Sequence, residues 1–225
     1  MTQPDPDVHA RRLAAESLAE GDSTGWFERL YAAAAAGEAT VPWSRGEPNR
    51  FLVEWTTRRL EEAERSRLDG QGRRAVVVGC GLGDDAEHIA GLGFDTTAFD
   101  VAPGAVRAAQ QRFPDSAVRY RTADLLDLPD EWRRGFDLVV ESMTVQSLPV
   151  ELRREAIRGV ARLVAPGGTL IVIAFVREES IEQVVGPPWP LSREEIDAFA
   201  AEGLRPVRVE RLDEGPRWRA EFQRP

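Results

Sequence analysis

Three glycines within five residues, directly after a short apolar run, constrain the fold of this chain more than any other feature. Residues 75–78 read Ala-Val-Val-Val, and Gly79, Gly81 and Gly83 follow at alternate positions. A continuous apolar run before a glycine turn is typical of a parallel strand that is buried on both faces. Glycine permits a sharp turn and a close approach of backbone to a ligand. The pattern therefore predicts a strand, a ligand-binding loop and a helix.

The rest of the chain after residue 73 alternates between apolar runs and amphipathic segments. We predict further strands over 95–99, 118–120, 136–140 and 169–176, with helices over 84–92, 103–112 and 149–163. Such alternation specifies a doubly wound α/β sheet with right-handed crossovers. Segments 207–212 and 218–222 instead alternate apolar and polar residues around a turn, which predicts an antiparallel hairpin. The capping-box pattern from Ser192 to Glu195 predicts one more helix before it.

The N-terminal third has a different pattern. Apolar residues recur there at helical spacing, and Gly25, Gly37 and residues 41–48 interrupt the helices that this spacing predicts. We therefore divide the chain into an N-terminal helical cap over residues 1–70 and a ligand-binding domain over residues 71–225.

Acidic residues follow the first three predicted strands. Asp84 stands where a dinucleotide-binding loop has its third glycine, and Asp85 follows it. Two carboxylates there would repel a pyrophosphate, and they suit a ligand with a cationic part, such as S-adenosylmethionine. Asp100 lies about 20 residues beyond the loop, where an acid accepts from ribose hydroxyls, and Asp124 follows the third strand, where it can accept from an adenine amine. The carboxyl ends of parallel strands share one edge of the sheet, so we expect these groups to meet there.

Taken together, residues 76–90, Asp100 and segments 123–125, 136–140 and 163–168 resemble the class I S-adenosylmethionine-dependent methyltransferases. The resemblance extends over about residues 73–225. It implies a seven-stranded, mostly parallel sheet with a reversed last strand, S-adenosylmethionine as methyl donor and S-adenosylhomocysteine as product. We expect the donor to contact Trp43, Gly79, Cys80, Gly81, Gly83, Asp100, Val101, Ala123, Asp124, Leu125 and Glu141.

Residues 26–31 and 42–48 are similar to the thiopurine and halide/thiol branch of that family, in which a comparable Pro-Trp segment lies over the donor. Ser44 departs from the branch, which usually has an acid after the tryptophan. Segment 184–190 is predicted to cover the acceptor pocket together with the N-terminal helices. We expect the acceptor to contact Trp26, Tyr31, Trp43, Met143, Gln146 and Trp189.

Strong bases are scarce in this sequence. The chain has no lysine, and neither His9 nor His88 is predicted to meet the substrate. Glu141 is the best candidate for a catalytic base, with hydrogen bonding to donor or acceptor as an equal alternative. This shortage favours acceptors that ionise easily or need no base: thiols, selenols, halides or acidic hydroxyls. We therefore expect methylation of a small molecule, S-methylation first and otherwise O- or N-methylation.

The net charge of −9 disfavours diffuse attraction to nucleic acid or to an anionic membrane. No apolar stretch reaches the ~20 residues of a membrane span, and the single cysteine fits a reducing compartment, so we expect a cytoplasmic monomer or homodimer without a metal. Two alternatives stay open: an NAD-dependent oxidoreductase, against which Asp84 and the hairpin argue, and a non-catalytic S-adenosylmethionine-binding module.

Overall fold

A seven-stranded sheet is the framework of the protein, described here by a computed structural model over residues 5–61, 70–178, 186–213 and 215–225. The strands are β1 (Arg74–Val78), β2 (Asp95–Asp100), β3 (Arg119–Thr122), β4 (Phe136–Ser142), β5 (Val164–Phe175), β6 (Arg205–Leu212) and β7 (Arg217–Gln223). Their order across the sheet is β3-β2-β1-β4-β5-β7-β6. The first five strands are parallel, and β7 runs antiparallel to both of its neighbours. The predicted doubly wound sheet with a C-terminal hairpin is confirmed.

Helices flank this sheet. They are α1 (Pro6–Ala19), α2 (Gly25–Ala35), α3 (Arg50–Glu61), α4 (Asp84–Gly91), α5 (Pro103–Arg112), α6 (Val150–Leu163) and α7 (Arg193–Asp197). A 3₁₀ segment over Ala198–Gly203 continues α7, and the predicted capping box is present at its start. Residues 62–69 lie outside the described residues, as do residues 184 and 185 of the predicted cover segment.

The core has two layers, one on each face of the sheet, because successive residues of a strand point to opposite faces. Val76 and Val78 of β1 pack with α6 on one face, whereas Ala75 and Val77 pack with α3, α4 and α5 on the other. Every residue of 75–78 is buried. The continuous apolar run therefore forms, as predicted, a parallel strand that is covered on both faces, and this strand is central in the sheet.

Residues 164–168, which precede the strand predicted over 169–176, already belong to β5. Val164 already pairs with Phe136, and the register then shifts, so that Thr169 pairs with Leu138. Gly167, at a φ of +74°, lies within this irregular stretch. The glycine pair thus produces a bulge inside a longer strand, because both ends of the stretch find partners on β4.

The N-terminal helices do not form one layer. Helices α1 and α2 pack on each other through Trp26 and Leu30. Helix α3 instead lies on the face of the sheet, where Leu52 and Trp55 join the core and the Trp55 indole donates to Glu221 at 2.9 Å. The division into a cap over 1–70 and a domain over 71–225 therefore stays a prediction, with α3 packed on the sheet. Within the described segments, no helix combines the length and the apolar composition needed to cross a bilayer.

Candidate active site

The carboxyl ends of β1, β2 and β4 open onto a cavity of about 860 Å³. This volume lies within the range of ~300–1,000 Å³ that is usual for small-molecule sites. Side chains of α1 and α2, residues 42–51 and the prolines at 187, 188 and 190 form the wall that faces the sheet edge. The cavity thus occupies the edge at which open parallel sheets bind their ligands.

The glycine loop between β1 and α4 forms the floor of the cavity. Gly79 has a φ of +59°, and a Cβ there would lie 2.3 Å from the Thr144 hydroxyl oxygen. Gly83 has a φ of +94°, and a Cβ there would lie 2.5 Å from the Tyr120 hydroxyl. Both positions therefore require glycine. Gly79, Cys80 and Gly81 line the cavity, whereas Gly83, predicted as a donor contact, does not and serves as the turn into α4.

Asp100 ends β2 inside the cavity wall. One carboxylate oxygen accepts from the Gly81 N–H and the other from the Ala102 N–H, both at 3.0 Å. Burial raises the pKa of Asp100 above its ordinary value, and these backbone donors oppose that shift. Because a carboxylate offers about four lone-pair positions, Asp100 can hold the loop and still accept from a ligand hydroxyl.

The predicted donor contacts after β2 and β3 meet on one side of the cavity. Val101, Ala123, Asp124 and Leu125 all line it. Asp124 closes its own turn by accepting from the Leu126 N–H at 2.9 Å. Apolar side chains next to a carboxylate suit a flat, amine-bearing ring, so the group fits the adenine end of S-adenosylmethionine.

The pair Asp84 and Asp85 differs from the prediction. Arg112 donates to both carboxylate oxygens of Asp84 at 2.7 Å, so this bidentate ion pair neutralises the first carboxylate. Asp85 accepts from the Asn49 N–H at 2.6 Å, and burial raises its pKa. Both residues line the cavity. Asp84 therefore does not present a free charge that would repel a pyrophosphate. The sequence does not reveal this pairing, because Arg112 lies 28 residues further along the chain.

Glu141 lies outside the cavity, contrary to the prediction that it meets donor or acceptor. Its side chain is fully buried, and one oxygen accepts from the N–H groups of Thr144 and Val145 at 2.8 and 2.9 Å. The other oxygen is buried with no hydrogen-bond partner among the described residues. Burial raises the pKa of Glu141 to about 7. The geometry makes it a brace for the turn after β4 rather than a base that touches substrate.

An aromatic cluster lies against the glycine loop, where a Cβ at Gly81 would be 3.1 Å from the Tyr31 hydroxyl and 3.8 Å from Trp43 Nε1. The Trp43 indole donates to the Tyr31 hydroxyl at 3.1 Å, and both residues, which the sequence suggests as acceptor contacts, line the cavity. Trp26, also predicted to contact the acceptor, is buried between α1 and α2 and stacks on Phe27 at 3.9 Å between ring centroids. It supports Trp43 from behind and does not line the cavity, because its helical position faces α1.

Met143 and Gln146 line the cavity after β4. Met143 adopts a φ of +65°, which is uncommon for a bulky residue. Gln146 is buried and accepts from the Phe175 N–H at 2.6 Å. Trp189, the last predicted acceptor contact, does not line the cavity. Its backbone is held instead, with its N–H donating to the Gln146 carbonyl and its carbonyl accepting from Arg153.

Sequence reasoning missed several cavity residues. Asn49 accepts from the Phe51 N–H through its side chain, and an asparagine before an apolar helical pattern is a recognised start signal that could have been used. Arg45, Phe175 and Arg217 also line the cavity. No local pattern marks these three, because distant segments bring them together. The described residues contain no group of three or more His, Cys, Asp or Glu arranged to hold a metal ion.

Burial of the remaining titratable groups limits the chemistry of the site. The pKa of the Cys80 thiol is raised well above its ordinary value by burial and by Asp100, so the thiol stays protonated. Burial likewise raises the pKa of Tyr31. His88 lies outside the cavity, with its Nε2 2.9 Å from the Thr56 hydroxyl. Neither a reactive thiol nor a histidine base is therefore present in the wall formed by the described residues.

Comparison with known proteins agrees with this geometry. Residues 75–168 match the family model of the methyltransferase domain. The chain is 35% identical over 137 residues to the ubiquinone biosynthesis O-methyltransferase of Xanthomonas oryzae pv. oryzae, and this match covers 60% of the chain and 56% of that protein. It is 27% identical over 174 residues to the 2-heptyl-1-hydroxyquinolin-4(1H)-one methyltransferase of Mycobacteroides abscessus, covering 76% and 72%. The match thus spans little more than half the length of the ubiquinone biosynthesis relatives.

Solved structures show the same fold. The N-methyltransferase NodS of Bradyrhizobium japonicum WM9, in complex with S-adenosylhomocysteine, superposes with a TM-score of 0.62 at 24% identity over 82% of this chain and 92% of that one. A structure from work on the conversion of a disulfide bond into a thioacetal group during echinomycin biosynthesis gives 0.66 at 22%, over 88% and 93%. These relatives do not support the resemblance to the thiopurine and halide/thiol branch. The chain therefore resembles methyltransferases over residues 75–168, and its sheet has the fold of these solved structures.

Proposed function

We propose that this chain transfers a methyl group from S-adenosylmethionine to a small-molecule acceptor. The observation that carries the proposal is the cavity at the sheet edge, which is lined by the glycine loop, by Asp100 and by the adjacent Tyr31–Trp43 pair. When bound, S-adenosylmethionine supplies a methyl group that is already activated by a positive sulfur. The chain then has to bind the donor and the acceptor, align them and exclude water.

The donor half of the cavity has groups that suit each part of that molecule. Asp100 is placed to accept from ribose hydroxyls, and Asp124 from the adenine amine, next to Leu125. The Trp43 ring lies at the cavity wall, where a positive sulfur gains from attraction to an aromatic face. Each of these roles is inferred from the position of the residue in the cavity and from the chemistry of its side chain.

Among the described residues that line the cavity there is no histidine, and the possible bases are carboxylates, of which Asp84 is paired with Arg112. Glu141 and His88 do not line the cavity. Because a carboxylate is a weak base, an acceptor atom that ionises near neutral pH fits this site best. Acidic hydroxyls meet this condition, and the names of two relatives give an O-methyltransferase and a hydroxyquinolinone methyltransferase. We therefore put O-methylation of an acidic hydroxyl first, and S-methylation of a thiol second, because a thiol meets the same condition.

Calorimetric titration separates this proposal from its alternatives. The chain should bind S-adenosylhomocysteine, and Asp100→Ala should weaken that binding at least about tenfold because the loop and a ligand hydroxyl both lose their acceptor. Asp95→Asn, at the exposed opposite end of β2, is the matched control. Binding of NAD without binding of S-adenosylhomocysteine would contradict the proposal.

Turnover is tested with oxygen and sulfur pairs, such as 4-nitrophenol and 4-nitrothiophenol, with release of S-adenosylhomocysteine as the readout. Methylation of the phenol supports O-methylation, and methylation of the thiophenol alone supports S-methylation. If the chain binds the donor but methylates no member of a panel of hydroxyls, thiols, halides and amines, it is a non-catalytic binding module instead.

A further inference from the structure

Four arginines line the cavity, and they come from separate parts of the chain. Arg11 is in α1, Arg45 lies in the segment before α3, Arg50 begins α3 and Arg217 begins β7. Phe175, at the end of β5, lines the cavity with them. A protein with 29 basic residues, none of them lysine, has many arginines on its surface. Whether the cavity arginines bind a ligand must therefore be judged from their surroundings.

Arg217 is the most informative of the four. Its guanidinium carbon lies 3.4 Å from the centroid of the Phe175 ring, and one terminal nitrogen donates to the Pro216 carbonyl at 3.2 Å. Its Nε is buried with no hydrogen-bond partner among the described residues. A buried donor of this kind normally has a partner, so the arrangement leaves one hydrogen bond to be supplied by another molecule.

The charges around Arg217 point the same way. Burial lowers its pKa, and the positive charges of Arg45 and Arg50 lower it further. Across the described segments, no carboxylate forms an ion pair with Arg217 or Arg45. The buried arginines have partners: Arg153 pairs with Glu195, Arg219 pairs with Glu54 and Glu210, and Arg224 donates to three backbone carbonyls. Asp7 and Glu47 also line the cavity, but neither forms an ion pair with Arg217 or Arg45, so an anion beside these two arginines would gain from their charge.

We propose that the acceptor subsite binds a planar molecule that carries an oxyanion, with the anion held by Arg217 and Arg45 and the ring beside Phe175. This inference rests on the proposed methyltransferase function and narrows its substrate class. Guanidinium groups bind oxyanions in charge-assisted hydrogen bonds, and a nearby positive charge also favours the ionised form of an acidic hydroxyl. The arginines would thus do part of the work that a base does elsewhere.

The test compares charged and neutral probes of one shape. 4-Hydroxybenzoate, its methyl ester and 4-nitrophenol are titrated into the whole chain, with and without saturating S-adenosylhomocysteine. The variants are Arg217→Met, which keeps an apolar contact with Phe175, and Arg45→Gln. Arg205→Gln, at the exposed start of β6 and outside the cavity, removes the same charge as a control.

We expect 4-hydroxybenzoate to bind at least about tenfold more tightly than its ester, and each cavity variant to lose most of that preference while Arg205→Gln keeps it. A preference confined to 4-hydroxybenzoate identifies a carboxylate elsewhere on the acceptor. Binding of 4-nitrophenol that follows its own ionisation identifies the reacting oxygen as the anion. Either result supports the inference.

Three outcomes overturn the inference. The first is equal binding of 4-hydroxybenzoate and its methyl ester, with binding of 4-nitrophenol that does not change as it ionises. The second is an equal loss in Arg205→Gln and in the cavity variants, and the third is no binding of any probe. Failure of S-adenosylhomocysteine to bind is a separate result, because it removes the proposed function whatever the probes do. Donor binding by Arg217→Met at wild-type strength shows that the variant is folded.

Discussion

Glu141 shows how strongly a single buried residue can depend on its surroundings. Its carboxyl group is fully buried at the end of β4, and only one of its oxygens has partners among the described residues. Burial raises its pKa to about 7, well above the ordinary value of 4.5. The charged form is therefore the disfavoured one in the folded protein.

The pH dependence of stability follows from this shift. As pH rises from about 4.5, the unfolded chain releases the proton first, so stability falls through about pH 7 and stays low above it. Glu141→Gln cannot ionise and should escape the loss, gaining up to about 3 kcal/mol over wild type at pH 8 relative to pH 5. Urea unfolding at both pH values measures this, with the exposed Glu151→Gln as control. Parallel wild-type and Glu141→Gln curves would contradict it.

Gly79 supports a second prediction at this scale. Gly79→Ala should destabilise the protein by more than about 2 kcal/mol, since its Cβ would strike Thr144 and its backbone would be strained. Thr144→Ala removes the struck atoms but also the hydroxyl bond to the Val78 carbonyl, worth about 1 kcal/mol. The double variant should therefore lose less stability than the two single variants lose together. Additive losses in urea unfolding would show that the clash is absent.

Local spacing was enough to find the glycine loop and Asp100, because both lie where one strand meets one turn. It was not enough for Glu141. In β4, Leu138 and Val140 face the core layer with α4 and α5, and Val139 faces the layer with α6. Both faces of this strand are apolar, so the sequence does not show which alternate residues face which layer. Only the packing of α6 against β4 shows which residues of this strand face which layer.

Among the helices, the contact between α2 and α5 joins the N-terminal region to the sheet. Glu28 of α2 accepts from the Gly104 N–H in the first turn of α5 at 2.6 Å, and its other oxygen pairs with Arg107 at 3.1 Å. The residue before α5 makes no side-chain cap bond of its own. Glu28 thus caps α5 from another helix.

Glu28→Ala should destabilise the protein by about 1 kcal/mol, the usual effect of losing a helix cap. Arg107→Ala should have a smaller effect, since it breaks only an exposed ion pair. Glu16→Ala, which breaks an exposed pair within α1, is the matched control. Urea unfolding and hydrogen exchange at the Gly104 amide measure the effect. An Arg107→Ala loss as large as that of Glu28→Ala would refute the capping role.

Element types were predicted well, but their placement was not. The apolar spacing in α3 identified a helix, yet a helix period says which face is apolar and not which surface covers it. The large apolar face formed by Phe51, Leu52 and Trp55 joined the core above the sheet, so α3 became part of the sheet layer. The meeting of Arg45, Phe175 and Arg217 likewise depends on long-range packing and has no local signal.

At the scale of the whole molecule, binding of the donor product should appear as thermal stabilisation. A ligand that binds only the folded chain stabilises it by about 2.7 kcal/mol at a concentration of 100 times its Kd. For a chain of this size, each kcal/mol raises Tm by about 2–4 °C, so S-adenosylhomocysteine should raise Tm by about 5–11 °C. NAD at the same concentration should leave Tm unchanged.

The cavity is built from the glycine loop, the ends of the parallel strands and the N-terminal helices, so the shift should depend on all of them. Asp100→Ala should abolish most of it at the same ligand concentration. Glu28→Ala should lower Tm without ligand but keep most of the shift, because Glu28 does not line the cavity. Differential scanning calorimetry distinguishes these patterns. A full shift in Asp100→Ala would place the donor elsewhere on the molecule, away from the edge at which β1, β2 and β4 end.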